Sequence, residues 1–273
     1  MRARIALVGL IVLAVAAAGC GAGGDTPSIL DKDELVIGVK PDQPGLGLKK
    51  RNGVYEGFDV DVAKEVVKRL PGQRRRVRFV DAPSSERERL LRERKVDLVV
   101  ASYSITPKRK TMVGFAGPYY VAHQDILVRQ NVTGITNVRD LRGRVLCNVE
   151  GSNSVARVVE ELEIAANLVP AASYSECIEK LKTGSVEAVS TDDLILAGFA
   201  AAEAGRFKFV NRPFTDERYG IGIHQDDIDG CEAVNKAITQ MYQEGTAKTL
   251  LDRWFGKTDL SYTTTVPEFE GCG

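Results

Sequence analysis

The sequence lacks an excess of charge of either sign. Its 37 lysines and arginines are balanced by 37 aspartates and glutamates among 273 residues. Nucleic-acid binding requires an excess of cations that neutralise phosphates, so this balance argues against nucleic acid as the main partner. Histidine is scarce, with two residues, and the five cysteines are scattered without a C-x-x-C pair. Because this spacing is unlike that of a metal site, we expect neither a metal nor a cofactor.

The N-terminal apolar run is too short to cross a membrane as a helix. It covers residues 5–18, whereas a spanning helix needs about 20 residues. The run follows a cationic start and has the length of a signal-peptide core, although a buried N-terminal helix is the alternative. Its end, Ala-Ala-Gly-Cys, resembles a bacterial lipobox with alanine where a branched apolar residue is usual. We therefore predict a signal peptide at 1–19, a lipid on Cys20 and a lipidated tether at 20–28.

Apolar patterning after the tether alternates between strand and helix, in the same order twice. The predicted strands are 35–39, 77–80, 96–101, 144–149, 168–169 and 186–190. The predicted helices are 58–70, 85–95 (opening on a capping box), 152–164 and 175–182. Residues 91–99 and 181–189 match at an offset of 90 residues. Two βαβαβ units predict an α/β fold with two lobes, each a sheet flanked by helices.

Two further strands are candidates for crossing between the lobes, at 124–129 and 219–223. The predicted boundaries place lobe 1 at 29–122 and lobe 2 at 123–220. Residues 221–273 would return to lobe 1 with two C-terminal helices and a tail. Two crossings make a hinge, and a cleft between lobes is where small ligands usually bind.

Four cysteines remain once Cys20 carries lipid, and an even number in an exported chain favours disulfides. Cys147, Cys177, Cys231 and Cys272 allow three pairings. We favour Cys147–Cys177 and Cys231–Cys272, because each bond then lies within one lobe. The second bond would hold the C-terminal tail.

Several motifs along the chain carry a family resemblance. The strongest are residues 101–110 (Ala-Ser-Tyr-Ser-Ile-Thr-Pro-Lys-Arg-Lys) and 115–120 (Phe-Ala-Gly-Pro-Tyr-Tyr). Residues 57–61, 151–154 and 191–193 lie in the same family's order. Together with the lipobox, they resemble the polar amino-acid-binding proteins of ABC importers, solute-binding protein family 3. The resemblance implies a two-lobed, type II periplasmic-binding-protein-like fold whose lobes are joined by two crossing strands.

The resemblance also implies a site for the α-carboxylate and α-ammonium of a free amino acid. Arg109 matches the family arginine that holds the α-carboxylate through two parallel hydrogen bonds. Ser104 would donate to the same carboxylate, and the main chain of Ser102 would accept from the ammonium. Considered alone, Arg109 in its Pro-Lys-Arg-Lys turn favours a solvated surface charge.

The second lobe would supply the remaining contacts. Ser152 and Asn153 lie at a helix start, where main-chain N–H groups favour an anion. Asp192 matches the family acid that holds the ammonium. It is the counterpart of Ser102 in the 90-residue repeat, and both follow a buried strand at the edge where open α/β sheets bind ligands. The alternatives are a capped helix start at 151–154 and a helix N-cap at Asp192.

Charges near the first strand indicate an acidic ligand. Relatives that bind glutamine or basic amino acids carry an acid and then an aromatic where this chain has Lys40 and Gln43. Arg87 matches an arginine of acidic-amino-acid binders, and residues 41–47 resemble the glutamate-binding branch from actinobacteria. Lys40 or Arg87 would therefore pair with a second carboxylate of the ligand, since an unpaired buried charge is destabilising. A surface lysine is the alternative for Lys40.

The expected function is that of a receptor for L-glutamate, or L-aspartate, which the lipid on Cys20 anchors outside the cell membrane. The protein would be a monomer that delivers its ligand to ABC permease subunits. We predict no catalytic residue, because the assembled cleft has no pair of carboxylates placed for acid–base work. The alternatives are binding of glutamine or asparagine, a lipoprotein that signals to a membrane kinase, and a dehydratase on the same fold.

Overall fold

The structure is a computed structural model that describes residues 27–258 and 260–272. It contains a nine-stranded mixed sheet and a small three-stranded antiparallel sheet. The strands are β1 Glu34–Val39, β2 Asp42–Gln43, β3 Gly47–Lys49, β4 Tyr55–Glu56, β5 Arg76–Asp81, β6 Leu98–Val99, β7 Gly114–Arg129, β8 Val145–Val149, β9 Asn167–Ala171, β10 Ala188–Asp192, β11 Phe207–Phe209 and β12 Thr215–Ile223. The helices are α1 Phe58–Arg69, α2 Arg87–Arg92, α3 Pro107–Lys110, α4 Ser154–Ala156, α5 Tyr174–Thr183, α6 Asp193–Ala202, α7 Ile228–Gln243 and α8 Thr246–Phe255.

The main sheet consists of two parallel halves joined by two antiparallel strands. Its strand order is β5-β1-β6-β12-β7-β10-β8-β9, with β11 paired to β7. Strands β5, β1 and β6 are parallel, as are β10, β8 and β9, while β7 and β12 run antiparallel between these halves. We call the first half, with the small sheet and helices α1–α3, α7 and α8, the first lobe. The second half, with α4–α6, is the second lobe, and the predicted two-lobed α/β fold is confirmed.

The sequence repeat corresponds to a repeated hydrogen-bonding pattern. The carboxylate of Asp97, just before β6, accepts the N–H of Val36 in β1 at 2.7 Å. The carboxylate of Glu187, just before β10, accepts the N–H of Val145 in β8 at 2.9 Å. In both lobes an acid therefore fixes the register between the central strand and its parallel neighbour, and the two lobes share one plan.

The strands predicted to cross between the lobes are parts of longer ones. Residues 124–129 are the C-terminal part of β7, and residues 219–223 are that of β12. Strand β7 begins at Gly114, which pairs with Ile223 in the first lobe. It ends at Arg129, just after Val128, which pairs with Ala188 of β10 in the second lobe. Because both strands belong to the sheets of both lobes, relative movement of the lobes requires these strands to bend.

The two C-terminal helices pack against helix α1 of the first lobe. The ring of Phe255 in α8 meets that of Phe58 in α1 edge to face, with centroids 6.2 Å apart. Helix α7 begins at an N-cap, Asp227, whose carboxylate accepts the N–H of Gly230 at 2.9 Å. The same carboxylate accepts the N–H of Ile29 at 2.8 Å, which ties the start of the described chain to the end of the lobe.

The predicted helix at 152–164 is wrong in length and type. Helix α4 covers only Ser154–Ala156 and continues as one π-helical turn, Arg157–Glu161. The side chain of Asn153 makes no capping bond, because its amide donates to Glu217 of β12 at 3.0 Å. A contact with a distant strand therefore replaces the local cap that the sequence indicates.

The predicted capping box at 85–88 is also absent. Helix α2 starts at Arg87 after Glu86, which makes no side-chain capping bond. Glu88 instead forms an ion pair with Arg109, 3.3 Å between Oε1 and Nε. The strand predicted at 96–101 is likewise shorter, since only Leu98–Val99 forms β6.

Both predicted disulfides are confirmed. Cys147 of β8 is bonded to Cys177 of α5, and Cys231 of α7 is bonded to Cys272 in the tail. The first bond ties a buried strand to the helix that covers it within the second lobe. The second closes the C-terminal tail onto the first lobe.

The tail has no regular structure, yet it contacts both crossing strands. The N–H of Glu270 donates to the main-chain oxygen of Gly117 in β7 at 3.1 Å. Its carboxylate pairs with Arg218 of β12, 3.4 Å from Nη1. The disulfide therefore holds the tail against the base of the hinge.

The predicted signal peptide and the lipidation site at Cys20 lie outside the described residues. Within the described ranges, no helix is both long and apolar enough to span a bilayer.

The buried disulfide predicts a measurable stability difference. Replacing Cys147 and Cys177 together by serine should lower the free energy of unfolding by about 2–4 kcal/mol, because the unfolded chain loses a cross-link. Urea unfolding followed by circular dichroism measures this difference. The matched double variant of Cys231 and Cys272 should lose less, because its tail is largely exposed, but limited proteolysis should then cleave the tail. Equal stability of the first variant and the parent would contradict the structural role of that bond.

Candidate ligand-binding cleft

The two lobes touch across a cleft. Ser175 of α5 donates from its Oγ to the main-chain oxygen of Asp42 in β2, at 2.8 Å. A Cβ atom on Gly198 of α6 would stand 1.8 Å from the main-chain oxygen of Pro44, so only glycine permits this approach. The structure therefore shows the cleft in a closed arrangement.

A small cavity of about 10 Å³, room for about one water molecule, lies between the lobes. Its lining residues are Ser84, Arg87, Ser102, Ser152, Asn153, Ser154, Tyr174, Thr191, Asp192 and Ile195. Five of them are among the site residues predicted from sequence: Arg87, Ser102, Ser152, Asn153 and Asp192. Three other predicted residues do not line the cavity and lie behind its wall: Lys40, Ser104 and Arg109.

Arg109 is buried behind the cavity, so the surface-charge alternative is wrong. Its guanidinium donates to the main-chain oxygens of Ser104 at 2.8 Å and Gly151 at 3.1 Å. It also lies 3.4 Å from Oδ1 of Asn153 and pairs with Glu88. Gly151 and Asn153 belong to the second lobe. A carboxylate bound in the cleft would compete for these donors with shorter, charge-assisted bonds.

Arg87 is the cation that lines the cavity. It is 2% exposed, and it donates to the main-chain oxygens of Ala101 at 3.1 Å and Gly151 at 3.4 Å. Its Nε has no hydrogen-bond partner, and no carboxylate of the described chain forms an ion pair with it. Burial, and secondly the charge of Arg109, lowers the pKa of Arg87 to about 10, so the group is a cation at neutral pH. A buried cation without a counter-charge is unfavourable, and an anionic ligand would supply one.

Lys40 is also buried, so the surface-lysine alternative is wrong. It follows β1, and its Nζ contacts the Oγ of Ser84, which lines the cavity. Burial, and secondly the charge of Arg87, lowers the pKa of Lys40 to about 7. Its amine is therefore partly protonated at neutral pH. An anion beside it would raise that pKa and favour the charged form.

Asp192 ends β10 and presents its carboxylate to the cavity. Its Oδ2 accepts the hydroxyl of Tyr219 at 2.7 Å. Asp192 occupies the N-cap position of α6, as the alternative predicts, but its side chain makes no capping bond. Burial, and secondly the charge of Glu217, raises the pKa of Asp192 well above its usual value. No cation of the described chain forms an ion pair with it, and a bound ammonium would favour its ionised form.

Glu217 of β12 is a functional residue that sequence reasoning missed. It is buried, and its carboxylate accepts from Nδ2 of Asn153 and Nε of Arg157, both at 3.0 Å. These bonds hold the start of α4 against a crossing strand and fix Asn153 at the cavity wall. No local pattern marks Glu217, because its partners lie far away along the chain.

Ser102 is held in an uncommon conformation at the end of β6. Its φ is +43°, a left-handed value that costs free energy in residues other than glycine. Its N–H donates to Asp59 at 2.8 Å, and its Oγ donates to Oε1 of Gln43 at 2.9 Å. Its main-chain oxygen, predicted to accept from an ammonium, instead lies 3.4 Å from Nη1 of Arg87.

A wall of hydroxyl groups from the second lobe was largely missed as well. The hydroxyl of Tyr174 lies 2.7 Å from the Oγ of Ser152 and 3.0 Å from that of Ser154. Ser154 in turn contacts the Oγ1 of Thr191 at 3.0 Å. Ser152 was predicted as a site residue, and Ser154 and Thr191 lie in the family motifs at 151–154 and 191–193, whereas Tyr174 had no signal in the sequence. These groups can turn donors or acceptors toward a polar ligand.

The charges of the cleft suit a small molecule that carries both signs. The first lobe contributes the cations Lys40, Arg87 and Arg109, and the second contributes Asp192. Four donors of the first lobe near the cavity are buried without partners among the described residues: the Nε of Arg87, the Oγ of Ser104, the Nε2 of Gln43 and the hydroxyl of Tyr103. Within the part of the chain that the structure describes, no cluster of metal-ligating side chains occurs. The charges of the arrangement are therefore complementary to a ligand with an ammonium on one side and anionic groups on the other.

Comparisons with known proteins agree with this geometry. The model of the family described as bacterial extracellular solute-binding proteins, family 3, matches residues 35–257. Glutamate-binding protein GluB of Corynebacterium glutamicum is 37% identical over 271 residues, which cover 93% of this chain and 92% of that protein. ABC transporter glutamine-binding protein GlnH of Bacillus subtilis is 32% identical over 264 residues, which cover 92% and 95%.

Solved structures of similar fold are two-lobed binding proteins. An ancestral arginine-binding protein bound to arginine has a TM-score of 0.76 and 30% identity, and the match covers 82% of this chain and 99% of that one. A substrate-binding protein from Streptococcus pneumoniae with bound histidine has the same TM-score at 22% identity, which supports the fold alone. Since the family model spans both lobes, the chain belongs to family 3 of the bacterial extracellular solute-binding proteins.

Proposed function

We propose that this protein binds L-glutamate in the interlobe cleft as the substrate-binding lipoprotein of an ABC amino-acid importer, with L-aspartate as the second candidate ligand. The observation that carries the proposal is Arg87, a buried cation at the cavity that no described carboxylate pairs with. A neutral ligand side chain would leave that charge unpaired, whereas a second carboxylate neutralises it.

Each charged group of glutamate has a counterpart in the cleft. Asp192 receives the α-ammonium, which restores the charge that burial disfavours. Arg109 and the free hydroxyl of Ser104 receive the α-carboxylate. Arg87, with Lys40 behind it, receives the side-chain carboxylate. Ser102, Ser152 and Asn153 complete the polar wall.

The named relatives support an amino acid as the ligand. Two of them are glutamate-binding proteins GluB, each 37% identical to this chain. Glutamine is the competing candidate, since GlnH is 32% identical and an ancestral arginine-binding protein of similar fold was solved with glutamine bound. The unpaired charge of Arg87 is what favours glutamate over glutamine.

The receptor performs no chemistry in this proposal, and ATP hydrolysis belongs to other subunits. One structural neighbour at 30% identity is a precursor of cyclohexadienyl dehydratase, so the fold alone does not decide this. Among acids, the charge of Glu217 acts most strongly on Asp192. Both carboxylate oxygens of Glu217 already accept hydrogen bonds, from Asn153 and Arg157. A lipid on Cys20 would hold the monomer outside the membrane. Crosslinking would distinguish permease subunits from a sensor kinase as its partner.

The ligand can be identified by thermal unfolding of the mature, unlipidated protein against a panel of amino acids. A ligand at 100 times its Kd stabilises by about 2.7 kcal/mol, which raises the Tm by several degrees in a chain of this size. Any ligand that co-purifies must first be removed by unfolding and refolding. We expect a shift with L-glutamate and none with L-glutamine or L-arginine. A shift with glutamine alone would agree with an amino-acid receptor but would overturn the assignment of Arg87 to a side-chain carboxylate of the ligand.

Replacing Asp192 by asparagine should abolish high-affinity binding. Breaking a buried charge pair costs about 3–5 kcal/mol, so the Kd should rise by about 100-fold or more. The Tm of the ligand-free variant should equal or exceed that of the parent, because burial disfavours the charged carboxylate. Calorimetry of binding and thermal unfolding measure both effects. The control is Asp193→Asn, a buried neighbour outside the cavity, which should bind normally. Near-normal affinity of the Asp192 variant would remove this residue from the site.

The lowered pKa of Lys40 predicts that affinity falls as the pH rises. Below about pH 7 the free protein already carries this proton, so binding takes up none. Above that pH the amine is neutral, binding must take up a proton, and the affinity should fall by up to about tenfold per pH unit. Calorimetry in two buffers of different ionisation enthalpy measures the number of protons that the protein takes up on binding. Lys40→Met should abolish the uptake, whereas Lys49→Met, at a half-exposed pair with Asp81, should not. Because binding of the ammonium would also release any proton held by Asp192, the Lys40 contribution is read as a difference: equal proton counts in the parent and in Lys40→Met would contradict the role of Lys40.

A further inference from the structure

One aromatic ring touches both guanidiniums of the cleft. The ring centroid of Tyr103 lies 4.3 Å from Cζ of Arg87 and 4.9 Å from Cζ of Arg109. Both distances are within the range over which the electron-rich face of an aromatic ring attracts a cation. Tyr103 is itself fully buried, so this attraction acts where water does not weaken it.

The ring has little freedom to move. Its centroid lies 4.8 Å from that of Phe115, at an angle of 58°. On another side it packs against Gly222 of β12, where a Cβ atom would stand 2.9 Å from the ring. Packed interiors resist such displacement. The position of Tyr103 is therefore set by β7 and β12 independently of any ligand.

Without the ring, the two guanidiniums would repel each other in a buried place. Arg109 has one carboxylate partner, Glu88, whereas Arg87 contacts only main-chain oxygens among the described residues. The carbonyls alone do not fix Arg87, because two of its three contacts are 3.4 Å long. Among the described residues, Tyr103 is the one side chain whose ring contacts both cations.

We propose that Tyr103 is a positioning residue that sets the separation of Arg87 and Arg109, and thereby selects dicarboxylic amino acids by the distance between their two carboxylates. This inference rests on the proposed function, in which each guanidinium receives one carboxylate. A ligand with one methylene fewer or more would reach only one of the two cations well. The two cations alone would attract any anion. The fixed separation that the ring imposes on them favours dicarboxylates of one chain length.

The hydroxyl of Tyr103 supplies a matched control. It is buried and has no hydrogen-bond partner among the described residues. Tyr103→Phe therefore keeps the ring and both cation contacts and removes only the hydroxyl, which lies beside Glu88. Phe255→Leu is the control for general loss of a buried ring, because Phe255 packs on Phe58 and its ring contacts neither guanidinium.

The test measures Kd by calorimetry for L-aspartate, L-glutamate and L-2-aminoadipate, which differ by one methylene each. In the parent and in Tyr103→Phe, glutamate should bind better than both others by about tenfold or more, the usual effect of one methylene. In Tyr103→Leu the Kd for glutamate should rise by about tenfold, and the three ligands should bind within a few-fold of one another. Tyr103→Met, which fills the site without a ring, repeats the test should the leucine variant fail to fold.

The outcomes separate this inference from the proposed function. An unchanged chain-length preference in a folded Tyr103→Leu or Tyr103→Met variant would overturn the role of Tyr103 and leave the glutamate receptor intact. Equal loss of preference in Phe255→Leu would also overturn it, because the effect would then follow from stability alone. A parent protein that binds glutamine but none of the three dicarboxylates would overturn the proposed function, and this inference with it.

Discussion

The cleft buries opposite charges on its two lobes without pairing them. Arg87 and Asp192 line the same cavity, and neither has a partner of opposite charge among the described residues. Burial disfavours the charged form of each, as the altered pKa values of both groups indicate. A ligand with a carboxylate and an ammonium removes both penalties at once. Such a ligand therefore stabilises the closed arrangement more than an open one. This difference is what allows ligand binding to drive closure about a hinge.

The fold makes that closure possible by sharing two strands between the lobes. Strands β7 and β12 run between the two half-sheets, and the Cys231–Cys272 bond ties the tail beside them to α7. Contacts such as that of Ser175 with Asp42 form only when the lobes meet. Lys40 follows β1 and Arg87 opens α2 in the first lobe, whereas Asp192 ends β10 in the second, so closure of the lobes brings these charged groups together. Glu217 connects the hinge to the cavity wall through Asn153.

Short-range patterns predicted most of the fold and much of the site. Apolar periodicity located the strands and helices, and the repeat that relates Asp97 to Glu187 also aligns Ser102 with Asp192. Features that depend on distant partners could not be predicted. Arg157 and Glu217 are 60 residues apart in the chain, and their bond accompanies the π-helical turn that replaces a regular helix. The arrangement of Tyr103 with two guanidiniums is equally a product of packing, since its sequence neighbours give no sign of it.

A crystal structure of the mature protein with L-glutamate bound tests the central claim most directly. We expect one carboxylate of the ligand at Arg109 and the other at Arg87, with the ammonium at Asp192. The guanidinium donors that now reach the main-chain oxygen of Gly151 should turn to the ligand. A ligand whose side-chain carboxylate points away from Arg87 would contradict the claim that this unpaired cation selects an acidic amino acid.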